Sequence, residues 1–185
     1  MQYVLASASP RRSELLRQIL PEFEVIPSRG DEKVNMSLFP EQMACALAEQ
    51  KCDEVFRDNP QKTVIGSDTI VVFQGEILGK PKDSEDAFNT LKKLSGKTHY
   101  VITGVCVRNA YKKLVDYDKT EVKFNVLSDD FILKYVESGS PMDKAGSYGI
   151  QDGGLVSEYF GSYTNVMGLP VNLTKKLLDG VKSNL

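Results

Sequence analysis

The segment Ser7-Ala8-Ser9-Pro10-Arg11-Arg12 places two hydroxyls and two guanidiniums at the start of a helix. Ser9 is a suitable N-cap and Pro10 suits the first helical position. The unsatisfied N–H groups and the dipole already make that end positive, so each arginine there costs about 0.3–1 kcal/mol in helix stability. An arriving anion reverses the sign of that cost, and bidentate guanidinium contacts make a phosphate the best fit. The alternative is a surface pair between Arg11 and Glu14. Asp68 is the second residue that stands out, because it sits inside the apolar run TVIGSDTIVVF over residues 63–73. A carboxylate buried there needs a cation, a metal or a hydrogen-bond network, and at the end of a central strand it would be placed to act as a general base or metal ligand. Satisfaction by backbone N–H groups is the structural alternative.

Weaker signals surround these two. Lys51 lies on a helix, where a lysine is ordinarily solvated, while Gly79-Lys80-Pro81 restricts the backbone around Lys80 and aims one ammonium. The stretch from Asp143 to Gln151 combines glycines with polar groups and suits a ligand loop. Ser95-Gly96-Lys97-Thr98 ends like a phosphate-binding P-loop, but Leu91 stands where that motif requires glycine and a strand follows, so it reads as a helix stop. No G-x-G-x-x-G follows the first strand. His99 is the single histidine, which excludes multi-histidine metal sites.

The elements that must position these residues alternate strand and helix. Strands are expected over residues 2–6 and 23–26, from Thr63 to Phe73, and around residues 76–78. A hairpin is expected from residues 99–108 and 114–126. Helices open at Pro10, Pro40, Asp83, Ser128 and Pro170, and Met43, Ala44, Leu47, Ala48 and Val55 form a buried stripe on the second. The stretch from Gly139 to Gly168 is loop-heavy with a short strand near Leu155. This pattern predicts an α/β fold with a mixed sheet, formed by residues 1–185 as one domain.

Hydrophobic residues make up 41% and charged residues 26%, which excludes disorder and fibrous repeats. Lys plus Arg number 23 against 25 acids, a net charge of −2 that disfavours a nucleic-acid binder but leaves a small anionic ligand open. No apolar run is long enough for a membrane helix, and the early arginines follow the apolar stretch, the wrong order for a secretory signal. Cys45, Cys52 and Cys106 lack metal-ligand spacing and are expected to be reduced thiols of a cytoplasmic protein.

Together these blocks resemble the Maf family of nucleoside triphosphate pyrophosphatases. The resemblance is carried by LASASPRRSELL, SRGDEK with Glu32, LAEQK ending at Lys51, and IGSDTIV around Asp68. It continues through GEILGKP with Lys80, LSGKTHYVITGV, PMDKAGSYGIQ and VMGLPV, nearly the full length. It implies an elongated mixed sheet flanked by helices, similar to the ITPase fold, with a deep cleft. It also implies cleavage between the α- and β-phosphates to give a nucleoside monophosphate and pyrophosphate. Carried over by position, Asp68 is the catalytic base, Ser7, Arg11, Arg12, Lys51 and Lys80 hold the triphosphate, and Glu32 with Asp68 binds a divalent cation, Mg²⁺ or Mn²⁺. Such folds are commonly homodimers.

Arg11, Thr69 and Gln151 match the branch similar to dTTP/UTP pyrophosphatases, which would also admit modified pyrimidine triphosphates. The 7-methyl-GTP-type branch tends to carry Trp, Gln and Glu there, and this chain has no Trp. Asp152 follows Gln151 where the family commonly has glycine. Thr69 and Asp68 are adjacent, so for both to serve one site a bulge or strand end is expected there. A regulatory nucleotide-binding protein acting on septum formation is the alternative from another functional class.

Overall fold

The computed structural model describes residues 2–30 and 37–182. In chain order it contains β1 (Tyr3–Leu5), α1 (Pro10–Arg17), β2 (Glu24–Val25), α2 (Pro40–Asp58), β3 (Thr63–Phe73) and β4 (Glu76–Leu78). There follow α3 (Ser84–Leu94), β5 (Thr98–Arg108), β6 (Lys113–Phe124), α4 (Asp129–Glu137), β7 (Val156–Phe160), α5 (Tyr163–Val166) and α6 (Val171–Lys182). Three short 3₁₀ turns, Ser140–Asp143, Ala145–Ser147 and Ile150–Asp152, occupy the glycine-rich stretch. The caps act as the sequence predicts. Ser9 Oγ accepts from the Arg12 N–H, Asp83 Oδ1 from that of Asp86, and Ser128 Oγ from that of Phe131. Each satisfies one of the N–H groups that a helix start leaves open.

The sheet runs β2-β1-β3-β5-β6-β7, with β4 paired to β3. Its pairing is mixed: β1 is parallel to β2 and β3, while β3–β4 and β6–β7 are antiparallel. β3 is apolar on both faces, and of its eleven residues Thr69 alone is not buried. The β1 ladder reaches Ile65 and the β4 ladder starts at Val71, so Asp68 lies three residues from each. The strand expected from Thr63 to Phe73 is present, and of the bulge or strand end expected at Asp68–Thr69 the strand end is corrected. β3 continues unbroken to Phe73, because nothing stops an apolar strand before the left-handed turn at Gln74-Gly75.

The chain divides into two compact units: Met1–Asp68, Thr103–Asp118 and Gly168–Leu185 form the first, and Thr69–Ile102 with Lys119–Met167 the second. The first packs Val4, Ala48, Cys52, Val55, Val64 and Cys106 into one core. The second packs Val71, Leu91, Phe124, Ile132, Tyr148 and Leu155 into another. Cys45 and Cys52 both lie on α2, and all three thiols are free. Burial, with the nearby charges of Asp116 and Glu49, pushes the Cys45 thiol up to about 11. No helix among the described residues is long and apolar enough to cross a membrane.

His99 is a core residue. It is 1% exposed, its Nε2 lies 2.7 Å from the Tyr148 hydroxyl, and it meets the Phe124 and Tyr148 rings edge-on. Its Nδ1 has no hydrogen-bond partner. Burial pulls its pKa from 6.5 down to about 4, so the unfolded chain binds the proton more tightly. Stability is thus fully present above pH 6.5 and is lost as pH falls toward 4. This group alone should cost roughly 2–3 kcal/mol by pH 4.5. Urea midpoints measured from pH 7 to 4.5 should show a distinctly flatter profile for His99→Gln, and an unchanged slope would remove His99 as the cause.

Candidate active site

Lys51 and Asp68, picked from the sequence for separate reasons, touch. The Lys51 ammonium donates to Asp68 Oδ1, and the two side chains are only 16% and 11% exposed. The buried carboxylate thus has a cation for a partner, not a set of backbone amides, and the bond is of the charge-assisted kind. Both oxygens of a carboxylate accept, so the bond to Oδ1 does not exhaust its capacity.

Two glycines that sequence reasoning passed over make this contact possible. A Cβ on Gly66 would stand 2.4 Å from the Ala48 carbonyl oxygen and 2.8 Å from Cys52 N. One on Gly104 would stand 2.2 Å from the Ala44 oxygen. The absence of side chains on β3 and β5 lets the backbone of α2 lie directly on these strands. Gly66 and Asp68 share a strand face, and Ala48 and Cys52 flank Lys51 on α2. The close approach therefore sets the lysine over the aspartate. The signal for both was glycine inside an otherwise β-branched run, which marks a close backbone approach.

The segment at the head of α1, read from the sequence as a candidate anion site, is organised around one carbonyl. Gly168 O accepts from Arg12 Nε at 2.8 Å and from Ser67 Oγ at 3.0 Å. Gly168 is buried with φ +109°, a conformation that only glycine adopts without strain. Arg12 Nη1 also donates to Ser7 Oγ at 3.4 Å, and the Ser9 N–H donates to the same oxygen at 3.2 Å. The loop before α1, the guanidinium and the residue preceding Asp68 are thus joined through Gly168. Arg11 lies half-buried on the first turn of α1.

Glu32 lies outside the described residues. Two positions before it, the Gly30 N–H donates to Glu54 Oε1 at 3.0 Å, and the Arg29 N–H donates to the same oxygen at 2.7 Å. The start of that loop is therefore tied to α2 one turn beyond Lys51. Among the described residues no three His, Cys, Asp or Glu side chains gather as a metal cage. Asp68 offers one carboxylate, with Oδ2 left beside the Lys51-bound Oδ1, and Mg²⁺ is commonly held by one or two carboxylates plus substrate phosphates and water.

The second unit holds the remaining sequence-picked residues. Thr69 is half-buried, and Lys80 and Gln151 are exposed. The Gly146 N–H donates to the Gly79 carbonyl at 3.0 Å, fixing the segment before Lys80. Asp152, the departure from the family pattern, accepts from the Tyr135 hydroxyl at 2.5 Å and the Ser140 hydroxyl at 2.7 Å. Tyr135 was not picked from the sequence, because a tyrosine on a helix gives no local sign of the turn that its hydroxyl holds.

The Maf-like protein model matches residues 2–181. The chain belongs to the Maf family. A dTTP/UTP pyrophosphatase of Aquifex aeolicus (strain VF5) is 47% identical over 180 residues, covering 96% of this chain and 94% of that protein. Proteins of the same description are 48% identical in Bacillus velezensis (95% and 94% covered) and 47% in Thermococcus kodakarensis (95% of each). Among solved structures, the Ham1 protein of Staphylococcus aureus shares the fold at TM-score 0.53 and 19% identity, covering 98% of this chain and 100% of that one.

Proposed function

We propose that this Maf protein hydrolyses dTTP and UTP to the monophosphate and pyrophosphate, clearing such nucleotides from the cytoplasmic pool. The observation that carries the reading is the linkage through Gly168. It ties the Arg12 guanidinium to Ser67, the neighbour of Asp68, so that an anion site and a carboxylate are held in one framework. The names borne by its relatives support the same substrates.

Asp68 takes a proton from the attacking water. Arg11, Arg12 and Ser7 at the head of α1 bind phosphate oxygens, where the helix N-terminus adds its own positive potential. Lys51 stabilises charge that accumulates as the bond between the α- and β-phosphates breaks, the kind of electrostatic help that phosphoryl transfer depends on. A divalent cation, held by Asp68 and Glu32 together with the substrate, would neutralise phosphate charge. Lys80 contributes a further cation, and Arg11, Thr69 and Gln151 select the base.

A phosphate-release assay with added inorganic pyrophosphatase tests this directly. With Mg²⁺ or Mn²⁺ supplied, dTTP and UTP should turn over at least roughly tenfold faster than GTP and 7-methyl-GTP. Equal rates across bases would overturn the substrate assignment, and no turnover of any nucleotide would leave a binding protein in place of an enzyme.

A further inference from the structure

The turn that carries Gln151 is held at both ends by one phenol. The Gly149 N–H donates to the Tyr135 hydroxyl oxygen at 3.1 Å, and that hydroxyl donates to Asp152 Oδ2 at 2.5 Å. Between these anchors the Asp152 N–H closes onto the Gly149 carbonyl at 3.1 Å, leaving Gln151 inside the loop so formed. Ser140 gives a second hydroxyl to Asp152 Oδ2 at 2.7 Å. The buried Lys144 ammonium donates to Ser140 Oγ at 3.0 Å and stands 3.9 Å from Asp152 Oδ2.

Gly149 adds an independent constraint. Its φ of −119° suits any residue, yet a Cβ there would stand 2.6 Å from Gln151 Nε2 and 2.9 Å from Asp152 Oδ2. The missing methyl is therefore a matter of space, and the Gln151 amide lies against it. The backbone on either side of Gln151 is thus pinned by Tyr135 and Asp152, and its amide lies beside the bare Cα of Gly149.

We infer that Tyr135 and Asp152 are positioning residues for base selection, holding the Gln151 amide in the orientation that matches a uracil or thymine edge. The inference rests on the dTTP/UTP reading. A pyrimidine edge of this kind offers an N–H beside carbonyl oxygens, and a primary amide offers the complementary oxygen and N–H₂. Rotating that amide sets donor against donor and acceptor against acceptor, which leaves polar groups unpaired in the complex and removes discrimination. Burial, aided by the bond to Asp152, raises the Tyr135 phenol above its ordinary range, so it keeps its proton and remains a donor.

The test compares kcat and KM for UTP and GTP across Gln151→Ala, Tyr135→Phe, Gly149→Ala, Asp152→Ala and Asp152→Asn, with a thermal melt for each variant. Tyr135→Phe keeps the ring, and Asp152→Asn keeps an acceptor oxygen. The UTP:GTP ratio of kcat/KM should fall about tenfold or more in Gln151→Ala, Tyr135→Phe, Gly149→Ala and Asp152→Ala, chiefly through KM for UTP. It should stay within about threefold of the parent in Asp152→Asn. General damage would lower both substrates together and keep the ratio. Should Gln151→Ala collapse the ratio while Tyr135→Phe and Asp152→Ala preserve it, the positioning role is overturned and the substrate reading stands. A parent enzyme without base preference overturns the substrate reading and this inference with it, whereas a silent Gln151→Ala in a parent that prefers UTP overturns this inference alone.

Discussion

Asp68→Asn should lower kcat for UTP roughly a thousandfold while the protein still folds, the scale expected when a general base is removed. Asparagine is the informative replacement, because its side-chain oxygen still accepts from the Lys51 ammonium and the α2–β3 contact survives. What it loses is basicity, since an amide does not take a proton from water at neutral pH. KM should change by less than about threefold, because the proposed phosphate contacts, Ser7, Arg11 and Arg12 at the head of α1, are left intact. Asp68→Ala is the contrasting variant. It removes both the base and the lysine's partner in a largely buried setting, so it should melt at a lower temperature than Asp68→Asn. If Asp68→Asn turns over UTP within tenfold of the parent, Asp68 is a structural partner for Lys51 and the base lies elsewhere.

The elements were legible in the sequence wherever one local device decided them. Pro40 marks the start of α2, Ser9, Asp83 and Ser128 cap their helices, and the apolar run over 63–73 is β3. Lys51 was legible only through the family resemblance. A lysine on a helix is ordinarily solvated, and nothing local says that α2 rests on strand glycines. The turns between Gly139 and Asp152 were illegible for a different reason. They have no period, and their shape comes from side chains meeting across the loop, as Tyr135, Ser140 and Lys144 meet around Asp152. The strand from Thr63 to Phe73 held, whereas the strand end at Asp68–Thr69 failed as an expectation because it arose only from asking both residues to serve one site. A regular strand gives Asp68 and Thr69 opposite faces, and Asp68 alone of the two is buried.

Gly104→Ala should be among the most destabilising small substitutions in the first unit, although alanine is the mildest change available. The added carbon would stand 2.2 Å from the Ala44 oxygen, 2.4 Å from its carbonyl carbon and 2.7 Å from Cys45 N. All three are backbone atoms, so no rotamer relieves the clash and α2 itself must shift. Its other contacts resist that shift. Asp53 accepts from Arg108, the Lys113 ammonium pairs with Glu49 and Asp53, and the Arg108 guanidinium lies 4.2 Å from the Phe56 ring centroid. Overpacking of cores costs about 1–3 kcal/mol, and a backbone-on-backbone clash belongs at or above the top of that range. At this chain length about 3 kcal/mol corresponds to a fall in melting temperature of roughly 6–12 °C. Gly66→Ala separates stability from chemistry. Its clash is with Ala48 O and with Cβ and N of Cys52, the residues flanking Lys51, two positions from Asp68 on the same strand face. Assayed well below both melting temperatures, Gly66→Ala should lose more of kcat than Gly104→Ala does. Equal losses would mean that α2 moves as a rigid body under either substitution, and a Gly104→Ala melt within about 3 °C of the parent would mean that the helix does not rest on β5 as closely as the 2.2 Å approach requires.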